Sequence, residues 1–483
     1  MAQQSETPVP PELSAAVTPL PPLDEAAVEK ACPGLPPGAP DERLVPRILV
    51  HARDLVLLAT PLMLTRIGQL FMQTVDTAMV GRHSAEELAY FSLGGTPVGT
   101  AFATVVGLMM GTIILVAQAV GAGRPRDAGA VWRRSLPYAL LIGSIVAIGC
   151  QFGEAFFLLT GQEPGIAHGA APVIAILGLG MPAAVLQIST SFFLEGIKRP
   201  FPAMVSMIVA NLLNFALDYT LVFGHFGMPA LGAVGSAIAT TTIRWLTALG
   251  LILYVWTMRD HAHYGVRGSF LEWREGRPHR HLGYAAGLSQ GAESTAFGTM
   301  GIFAGWLGAL GLGAYAVGLN LLALIFMAAL GLASATAVQV GQAHGAGNRR
   351  EATLAGWTGL TLTALTMVVV GVVLSSVPEG IATLYASDPD LIRVLVPAIA
   401  FMAWIVVADG GQTVMASALR GQGDSWIPTA LHFFSYYGVM IPTAAYAAFH
   451  LGHGIMGIFE GILVASIVAV TVLMTRFHLL SRR

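Results

Sequence analysis

The sequence predicts an all-α membrane protein with twelve transmembrane helices in two pseudo-symmetric six-helix lobes. The 483-residue chain is 55% hydrophobic and only 11% charged, whereas a soluble domain carries about 25% charged residues. In addition, Gln-Ala-Val-Gly-Ala-Gly at 118–123 returns as Gln-Ala-His-Gly-Ala-Gly at 342–347. Leu-Glu-Gly at 194–196 likewise returns as Leu-Arg-Gly at 419–421. Motifs repeated in the two halves of a chain indicate a duplicated fold.

Apolar segments occur in both halves and are long enough for a helix to cross the ~30 Å hydrocarbon core of a bilayer. An even number of spans per half keeps both halves in the same orientation, so the repeats are related by an axis along the membrane normal. Duplicated apolar halves are a common plan of secondary transporters. The predicted spans are 55–81, 92–121, 135–160, 170–194, 202–224, 231–257, 283–307, 314–341, 354–377, 394–418, 427–449 and 454–475.

The spans divide the chain into four regions. Residues 1–47 are rich in proline, contain acidic residues and have no long apolar run. We predict a disordered cytoplasmic tail there, without the features of a cleavable signal peptide. The N-lobe is predicted at 48–258, a cytoplasmic linker at 259–282 and the C-lobe at 283–483.

Positive charges predict the orientation of the chain. With the N-terminus inside, the segments on the opposite side carry only Arg82 and Arg393. This asymmetry follows the positive-inside rule, so both termini and the 259–282 linker are expected in the cytoplasm. The short loops favour a bacterial inner membrane. The lysines and arginines predicted inside are Arg43, Arg47, Arg53, Arg124, Arg126, Arg133, Arg134, Lys198, Arg199, Arg259, Arg267, Arg274, Arg277, Arg280, Arg349, Arg350, Arg420, Arg476, Arg482 and Arg483.

Four of the acidic residues inside predicted spans stand out: Asp76, Asp218, Glu293 and Asp409. A carboxylate at bilayer depth costs several kcal/mol, so it normally faces a wet cavity or a partner. We therefore predict that these residues bind the coupling ion or the substrate. For Asp76, near the outer end of its span, a structural cap or an interfacial anchor is the alternative.

The first span carries a polar stripe. Its members are spaced 3, 4, 3 and 1 residues apart, which places them on one face of a helix. Such a stripe must face protein or water, and Arg66 is either a counter-charge of Asp76 or Asp218 or extends to the inner interface. The stripe comprises Arg66, Gln69, Gln73, Asp76 and Thr77, of which Gln69 and Gln73 are predicted site residues.

The fifth span repeats this arrangement. Asn211, Asn214 and Asp218 are spaced 3 and 4 residues apart and share a face. We predict that Asn214 hydrogen-bonds the Asp218 carboxyl group within the site. The alternative is interhelical polar packing, which asparagine commonly supplies in membranes.

The second half offers Glu293, in Gly-Leu-Ser-Gln-Gly-Ala-Glu at 287–293, and Asp409, in Val-Ala-Asp-Gly-Gly-Gln at 407–412. Asp409 has no lysine or arginine within ten residues on either side, so it is expected to be protonated or bound to an ion. Sodium bound between Asp409 and Glu293 is one form of this hypothesis.

Several other classes of protein lack support. The chain contains no Walker loop, which argues against ATP-driven pumping by this chain alone. There is no nucleophile–base constellation, so we predict no enzymatic activity, and there is no basic block for nucleic acid. No metal site or cofactor is predicted, since His261, His263, His279 and His281 are assigned to a solvated loop and Cys32 and Cys150 lie far apart.

These residues resemble the MATE family, the multidrug and toxic compound extrusion transporters. Val-Asp-Thr-Ala-Met-Val-Gly at 75–81 is similar to the family's first-span signature. The two Gln-Ala-x-Gly-Ala-Gly copies resemble the ends of its second and eighth spans. Asn214 and Asp218 match its fifth-span Asn-x3-Asn/Asp pair. Asp409 and the segment 417–424, Ser-Ala-Leu-Arg-Gly-Gln-Gly-Asp, resemble its tenth-span motif.

Two positions depart from the family pattern. Ser289 stands where the family usually has proline in the seventh span, and Phe297 stands where some members have their acidic residue. Glu293 lies one turn after Ser289, as in another set of members. Because members of the family couple to protons or to sodium, the coupling ion stays open at this point.

The resemblance implies an antiporter with a central cavity between the lobes. It would act as a monomer, exporting small organic cations or amphipathic drugs through the lipid bilayer in exchange for protons or sodium. The nearest alternative is a lipid-linked oligosaccharide flippase, which should line its cavity with several cations. An ion channel is a second alternative, which saturable, counter-gradient export would exclude.

Overall fold

The structure is a computed structural model that describes residues 44–268 and 273–482. We number the helices that coincide with the twelve predicted spans. Those of the first half are α1 (Leu44–His83), α2 (Ala85–Gly121), α3 (Pro125–Cys150), α4 (Pro164–Gly196), α5 (Phe201–Phe223) and α6 (Gly232–Thr257).

The second half repeats the plan, and its order of helices matches that of the first. The short helices Gly153–Leu159 and Pro378–Tyr385 follow the third helix of each half. The helices of the second half are α7 (Arg277–Trp306), α8 (Ala309–Gly345), α9 (Arg349–Ser376), α10 (Pro389–Gly421), α11 (426–450) and α12 (Ile455–Arg482).

Ten of the described helices are long and apolar enough to cross a membrane. The other two are α7, which begins with polar turns, and α11, which is interrupted. In α11, Phe434–Met440 and Tyr446–His450 are π-helical, with Ile441–Ala445 between them. Pro442 lacks an N–H and clashes with the carbonyl one turn earlier, which favours a local widening of the helix.

The two lobes pack together at the end of the bundle that carries most of the arginines, which we call the basic end. There α2 runs against α7 and α8 of the other lobe. Glycine permits the close approach, because a Cβ added at Gly107 would lie 2.7 Å from the Ala286 carbonyl oxygen. An apolar core crosses this interface and includes Leu58 and Ile113 from one lobe and Val338 from the other.

The lobes diverge toward the opposite end. The face of α2 that bears Gly107 continues at helical spacing to Thr100 and Thr96, and both threonines are exposed. A Cβ added at Gly99 would meet no atom within 4 Å. The bundle is therefore closed at the basic end and open between the lobes at the other.

The lobe boundaries differ slightly from the predicted ones. Most of the predicted tail at 1–47 lies outside the described residues, but α1 already begins at Leu44. The predicted linker at 259–282 ends earlier, because α7 begins at Arg277. The assignment of His279 to a solvated loop is wrong. Its side chain is buried, and Nε2 lies 2.8 Å from Thr112 Oγ1 on α2.

Candidate acidic sites in the two lobes

A buried acidic cluster forms where α1, α5 and α6 meet. Asp76, Asn214 and Asp218 are 3%, 1% and 0% exposed. Asn214 Nδ2 donates to Asp76 Oδ1 at 2.5 Å and to Asp218 Oδ2 at 2.9 Å. The amide thus uses both of its hydrogens to join two carboxyl groups from different helices. The structure brings these three predicted site residues together.

The cluster is completed from α6, which contains none of the predicted site residues. Thr240 Oγ1 donates to Asp76 Oδ2 at 2.8 Å. Ser236, one turn before it, is fully buried and lies close to Asp218. Arg244 continues the same face and interacts electrostatically with Asp76. The polar spacing of Ser236, Thr240 and Arg244 was a usable signal, since residues four apart share a helical face.

Local packing explains why α5 aligns its polar face with α1. A Cβ at Gly68 would lie 2.9 Å from Met207 Cγ, so glycine lets the two helices approach closely. Asn211 Nδ2 donates to the Gly68 carbonyl at 3.1 Å. Asn211 therefore joins the helices, and Asn214 and Asp218 follow on the same face toward Asp76.

Two predicted site residues stand apart from this cluster. Gln69 is half-buried and Gln73 is exposed. The hydrogen bonds to Asp76 come from Asn214 and Thr240 instead. The predicted polar stripe of α1 therefore divides, with Asp76 turned into the lobe and Gln73 at its surface.

Arg66 is a correction to the sequence analysis. Its partner is neither Asp76 nor Asp218 but Glu195 on α4, with Nη2 3.3 Å from Oε1. Glu195 is 1% exposed, and the guanidinium also lies over the Phe192 ring at 5.3 Å. A buried charge needs a partner of opposite sign, so the arginine in the first span is a signal for a buried acid, and Glu195 stands in the repeated Leu-x-Gly motif.

This ion pair predicts a measurable effect on stability. Glu195→Gln should lower the melting temperature in detergent markedly, because removing one partner of a buried pair costs about 3–5 kcal/mol. Tryptophan fluorescence during heating measures it. The exposed pair Arg124–Asp127 provides the control, since Asp127→Asn should change the melting temperature little. Equal melting temperatures for both variants would show that Glu195 is not a required partner of Arg66.

The second lobe also holds an acidic site, between α7, α10 and α11. Glu293 and Asp409 are half-buried and interact electrostatically with each other. Gln290 Nε2 donates to Glu293 Oε2 at 3.2 Å, and Gln412 Nε2 donates to Asp409 Oδ1 at 2.6 Å. Each predicted acid thus receives a hydrogen bond from a glutamine one turn away on its own helix.

The interrupted helix α11 contributes a tyrosine to this site. Tyr436, within the π-helical segment, lies with its hydroxyl 3.3 Å from Gln412 Nε2. The next tyrosine, Tyr437, points to Thr295 on α7, with the two oxygens 2.5 Å apart. A π-helical turn aims successive side chains differently from an α-helix and is frequent at functional sites. It gives this site an aromatic hydroxyl that the span pattern did not predict.

Ser289, which stands where the family usually has proline, also has a hydrogen-bonding partner. Ser289 Oγ lies 2.7 Å from His432 Nδ1 on α11, and both residues are buried. A serine hydroxyl can make this contact, whereas proline has no side-chain donor or acceptor. Ser289 therefore ties α7 to α11 beside the acidic site.

The two sites can hold protons or a small cation. Two neighbouring carboxylates repel each other in a medium of low dielectric, so each pair favours a shared proton or a bound cation. Oxygen ligands suit hard cations. Within residues 44–268 and 273–482, no group of three or more histidine, cysteine, aspartate or glutamate side chains has the arrangement of a metal site.

Comparisons with known proteins agree with this architecture. The family model described as MatE matches residues 61–220 and 285–446, one segment in each lobe. The chain is 37% identical over 441 residues to the probable multidrug resistance protein NorM of Caulobacter vibrioides, covering 90% of this chain and 93% of that protein. It is 30% identical over 449 residues to the multidrug resistance protein PmpM of Pseudomonas aeruginosa, with 90% and 93% covered.

Solved structures share the fold. An outward-facing conformation of a multidrug resistance MATE family transporter superposes with a TM-score of 0.83 at 22% identity, covering 90% of this chain and 97% of that one. The eukaryotic MATE transporter AtDTX14 gives a TM-score of 0.83 at 20% identity, with 90% and 98% covered. The prediction of twelve transmembrane helices in two lobes is confirmed.

Proposed function

The chain belongs to the MATE family, and from that premise we propose that it is a secondary antiporter that exports small organic cations or amphipathic drugs. Protons or sodium ions enter in exchange. The relatives NorM and PmpM are multidrug resistance proteins by name. Within this chain, the observation that carries the proposal is the buried cluster of Asp76, Asn214 and Asp218, in which one amide joins two carboxyl groups from different helices.

The proposed mechanism uses the opening between the lobes. When the bundle is open away from the basic end, the acids of both sites take up the coupling ion. Neutralised carboxyl groups hold a cationic drug less strongly, so the drug is released. The lobes then reverse, and the ion leaves at the basic end. Such coupling requires that each site bind its ion differently in the two states.

The orientation belongs to the proposal as well. We place the basic end and both termini in the cytoplasm of a bacterium, and the chain in its inner membrane as a monomer. The positive-inside rule supports this placement, and the named relatives are bacterial. Since both acidic sites lie within one chain, a single copy contains every group that the mechanism uses.

Cysteine labelling tests the orientation. His263 and Glu163 are exposed and lie at opposite ends of the bundle. In a background without native cysteines, His263→Cys should react with a membrane-impermeant maleimide only after the cells are opened, and Glu163→Cys should react in intact cells. Labelling of both positions in intact cells would contradict the assigned orientation.

The flippase alternative has little support in the arrangement of charges. A pyrophosphate headgroup needs uncompensated cations, and two arginines of the N-lobe, Arg66 and Arg244, lie within α1 and α6. Arg66 is paired with Glu195, and Arg244 interacts with Asp76. A third arginine, Arg420, is buried and interacts with Glu293. Each of these cations is thus offset by an acid.

Efflux from proteoliposomes tests the proposed function. A fluorescent organic cation loaded into the vesicles, with a higher concentration of the same cation outside, should leave against its own gradient when an inward proton gradient or an inward sodium gradient is imposed. The two gradients are imposed separately, so the effective one identifies the coupling ion. Export that follows only the drug's own gradient under both conditions would overturn the proposal.

A further inference from the structure

The two repeated motifs meet each other across the lobe interface. Gln118, in the first copy of the hexapeptide, donates from Nε2 to the Gly421 carbonyl of the other lobe at 2.8 Å. Gln342, in the second copy, donates to the Gly196 carbonyl at 3.2 Å. The glutamine of each hexapeptide thus binds the glycine of the Leu-x-Gly motif in the opposite lobe. We call these two hydrogen bonds the latches.

The acceptors are backbone carbonyl groups that accept no hydrogen bond within their own helices. Gly196 and Gly421 end α4 and α10, and the last four carbonyls of a helix have no intrahelical partner. Each latch therefore caps a helix end with a side chain from the other lobe. These bonds exist only while the lobes are closed at the basic end, because their donors and acceptors belong to different lobes.

A buried charge precedes each accepting glycine, with opposite sign in the two lobes. Glu195 precedes Gly196 and is paired directly with Arg66. Arg420 precedes Gly421, is 7% exposed and interacts through space with Glu293, one of the predicted coupling acids. One latch thus stands beside a complete ion pair, whereas the other stands beside a cation whose counter-charge is at the acidic site.

Because of its surroundings, the buried guanidinium of Arg420 depends on the negative charge of Glu293 for compensation. Its Nη1 contacts Met110 Sδ of the other lobe at 4.0 Å, and its Nε is buried without a hydrogen-bond partner among the described residues. His432 and Tyr436 are its titratable neighbours on α11. The charged groups that face Glu293 are Asp409 and Arg420 of α10, with Tyr436 of α11 beside them.

We propose that the latches hold the basic end closed and that Arg420 makes the Gly421 latch depend on the charge of Glu293. When Glu293 is ionised, it offsets the buried guanidinium, and the end of α10 stays in place. When an ion or proton neutralises Glu293, Arg420 is left as a buried charge without compensation, which is costly. Opening the basic end hydrates it and breaks the latch.

This inference rests on the proposed function and supplies a step in it. An antiporter needs its ion-loaded form, rather than its empty form, to open toward the side where the ion is released. Neutralisation of Glu293 would weaken closure at the basic end, which gives the ion the required differential effect on the two states. Arg420 is then a positioning residue, acting through Gly421.

A disulfide across the interface measures closure directly. A Cβ added at Gly341 would lie 3.1 Å from Ala117 Cβ of the other lobe, near the ~3.8 Å typical of a disulfide. Cys32→Ala and Cys150→Ala remove the native thiols, and Ala117→Cys with Gly341→Cys introduces the reporter pair. The rate of disulfide formation under mild oxidation, followed by counting free thiols with a polymer-linked maleimide, reports the closed state of the purified full chain in detergent.

Gln118→Leu and Gln342→Leu should each lower the equilibrium constant for closure by about three- to tenfold, the range that loss of one hydrogen bond spans, and should slow disulfide formation as the closed fraction falls. Gln118→Glu, which keeps the size but removes the donor, should slow it too and serves if the leucine variant does not fold. The control is Gln151→Leu, whose amide bonds the Ala175 carbonyl within one lobe. If the latch variants cross-link as fast as this control, the proposal that the latches hold the basic end closed is overturned.

The link through Arg420 is tested by a double-mutant cycle. Glu293→Gln should slow cross-linking in the reporter background. In the Arg420→Met background it should add nothing, and in the Arg420→Lys background, where the charge is kept, the slowing should return. An equal effect of Glu293→Gln in all three backgrounds would overturn the role of Arg420. The assay uses no substrate or gradient, so a failure of ion-driven export would not alter its result.

Discussion

Asp76→Asn is expected to reduce gradient-driven export to the background of empty vesicles. Asparagine has nearly the same shape as aspartate, so its oxygen can still accept from Asn214 while its NH2 group donates to the Thr240 hydroxyl, which reverses the direction of that bond. The amide cannot take up and release a proton, and it offers a cation no negative charge. Asp218→Asn should have the same effect, because the two carboxyl groups share Asn214. The loss should be in the rate of export, with folding and membrane insertion unchanged.

The measurement is efflux per inserted protein, with each variant reconstituted at a matched amount. Asp127→Asn is the matched control, since this acid is exposed at the start of α3 and should leave export at the rate of the unchanged chain. Export by the Asp76 and Asp218 variants at that same rate would contradict the assignment of the ion site in the N-lobe.

In the Asp409→Asn variant, the coupling ion should no longer speed the dissociation of bound substrate. If the ion is sodium, added sodium should speed dissociation of a bound fluorescent substrate from the unchanged chain, because ion and cationic substrate compete for the same negative charge. The variant should lose that acceleration, and Glu293→Gln should reduce it. If the ion is the proton, acidification replaces sodium in the same experiment.

Stopped-flow fluorescence in detergent measures this dissociation. Glu460→Gln is the control, since Glu460 pairs with His453 outside the acidic site and should retain the full response. An ion response that is unchanged in the Asp409 variant would exclude Asp409 as a ligand, even if transport were impaired for another reason.

Much of the N-lobe site followed from helical spacing. Asn214 and Asp218 are one turn apart, so their hydrogen bond could be predicted within α5 alone. Asp76 joins them because α1 approaches α5 closely at Gly68 and Met207. This approach is set by helix packing and could not be predicted from helical spacing. Periodicity likewise placed Gln73 with Asp76 on one face, but three residues of helix separate their directions enough to leave Gln73 at the surface.

Contacts between side chains in different helices could not be predicted from the apolar spans of the sequence. The pairing of Arg66 with Glu195 joins residues far apart in sequence, and the sequence shows Glu195 only as part of a repeat. His279 looked like a loop residue because the linker was rich in polar side chains, whereas α7 begins early and buries it against Thr112. In α11, Pro442 was a visible signal for an interruption, but apolar length alone gave no prediction of the π-helical turn that presents Tyr436.

The repeats were the most informative feature for the fold, yet their contacts came only from the structure. Similarity between the halves predicted equivalent positions in two lobes. It could not predict that the glutamine of each hexapeptide would bond the glycine of the opposite lobe's Leu-x-Gly motif, because that depends on which end of the bundle is closed. The inversion from Glu195 to Arg420 was visible in the sequence, but its meaning required their partners.

The central claim is that the chain exchanges an organic cation for an ion. The most direct test is whether a gradient of the organic cation alone can drive movement of the ion. Proteoliposomes without any ion gradient are diluted so that only a gradient of the organic cation exists, and the internal proton or sodium concentration is followed with a fluorescent indicator. For an antiporter, outward movement of the organic cation must draw the coupling ion inward, and Asp76→Asn must abolish that ion movement. Equilibration of the organic cation without any opposing movement of protons or sodium would contradict the account.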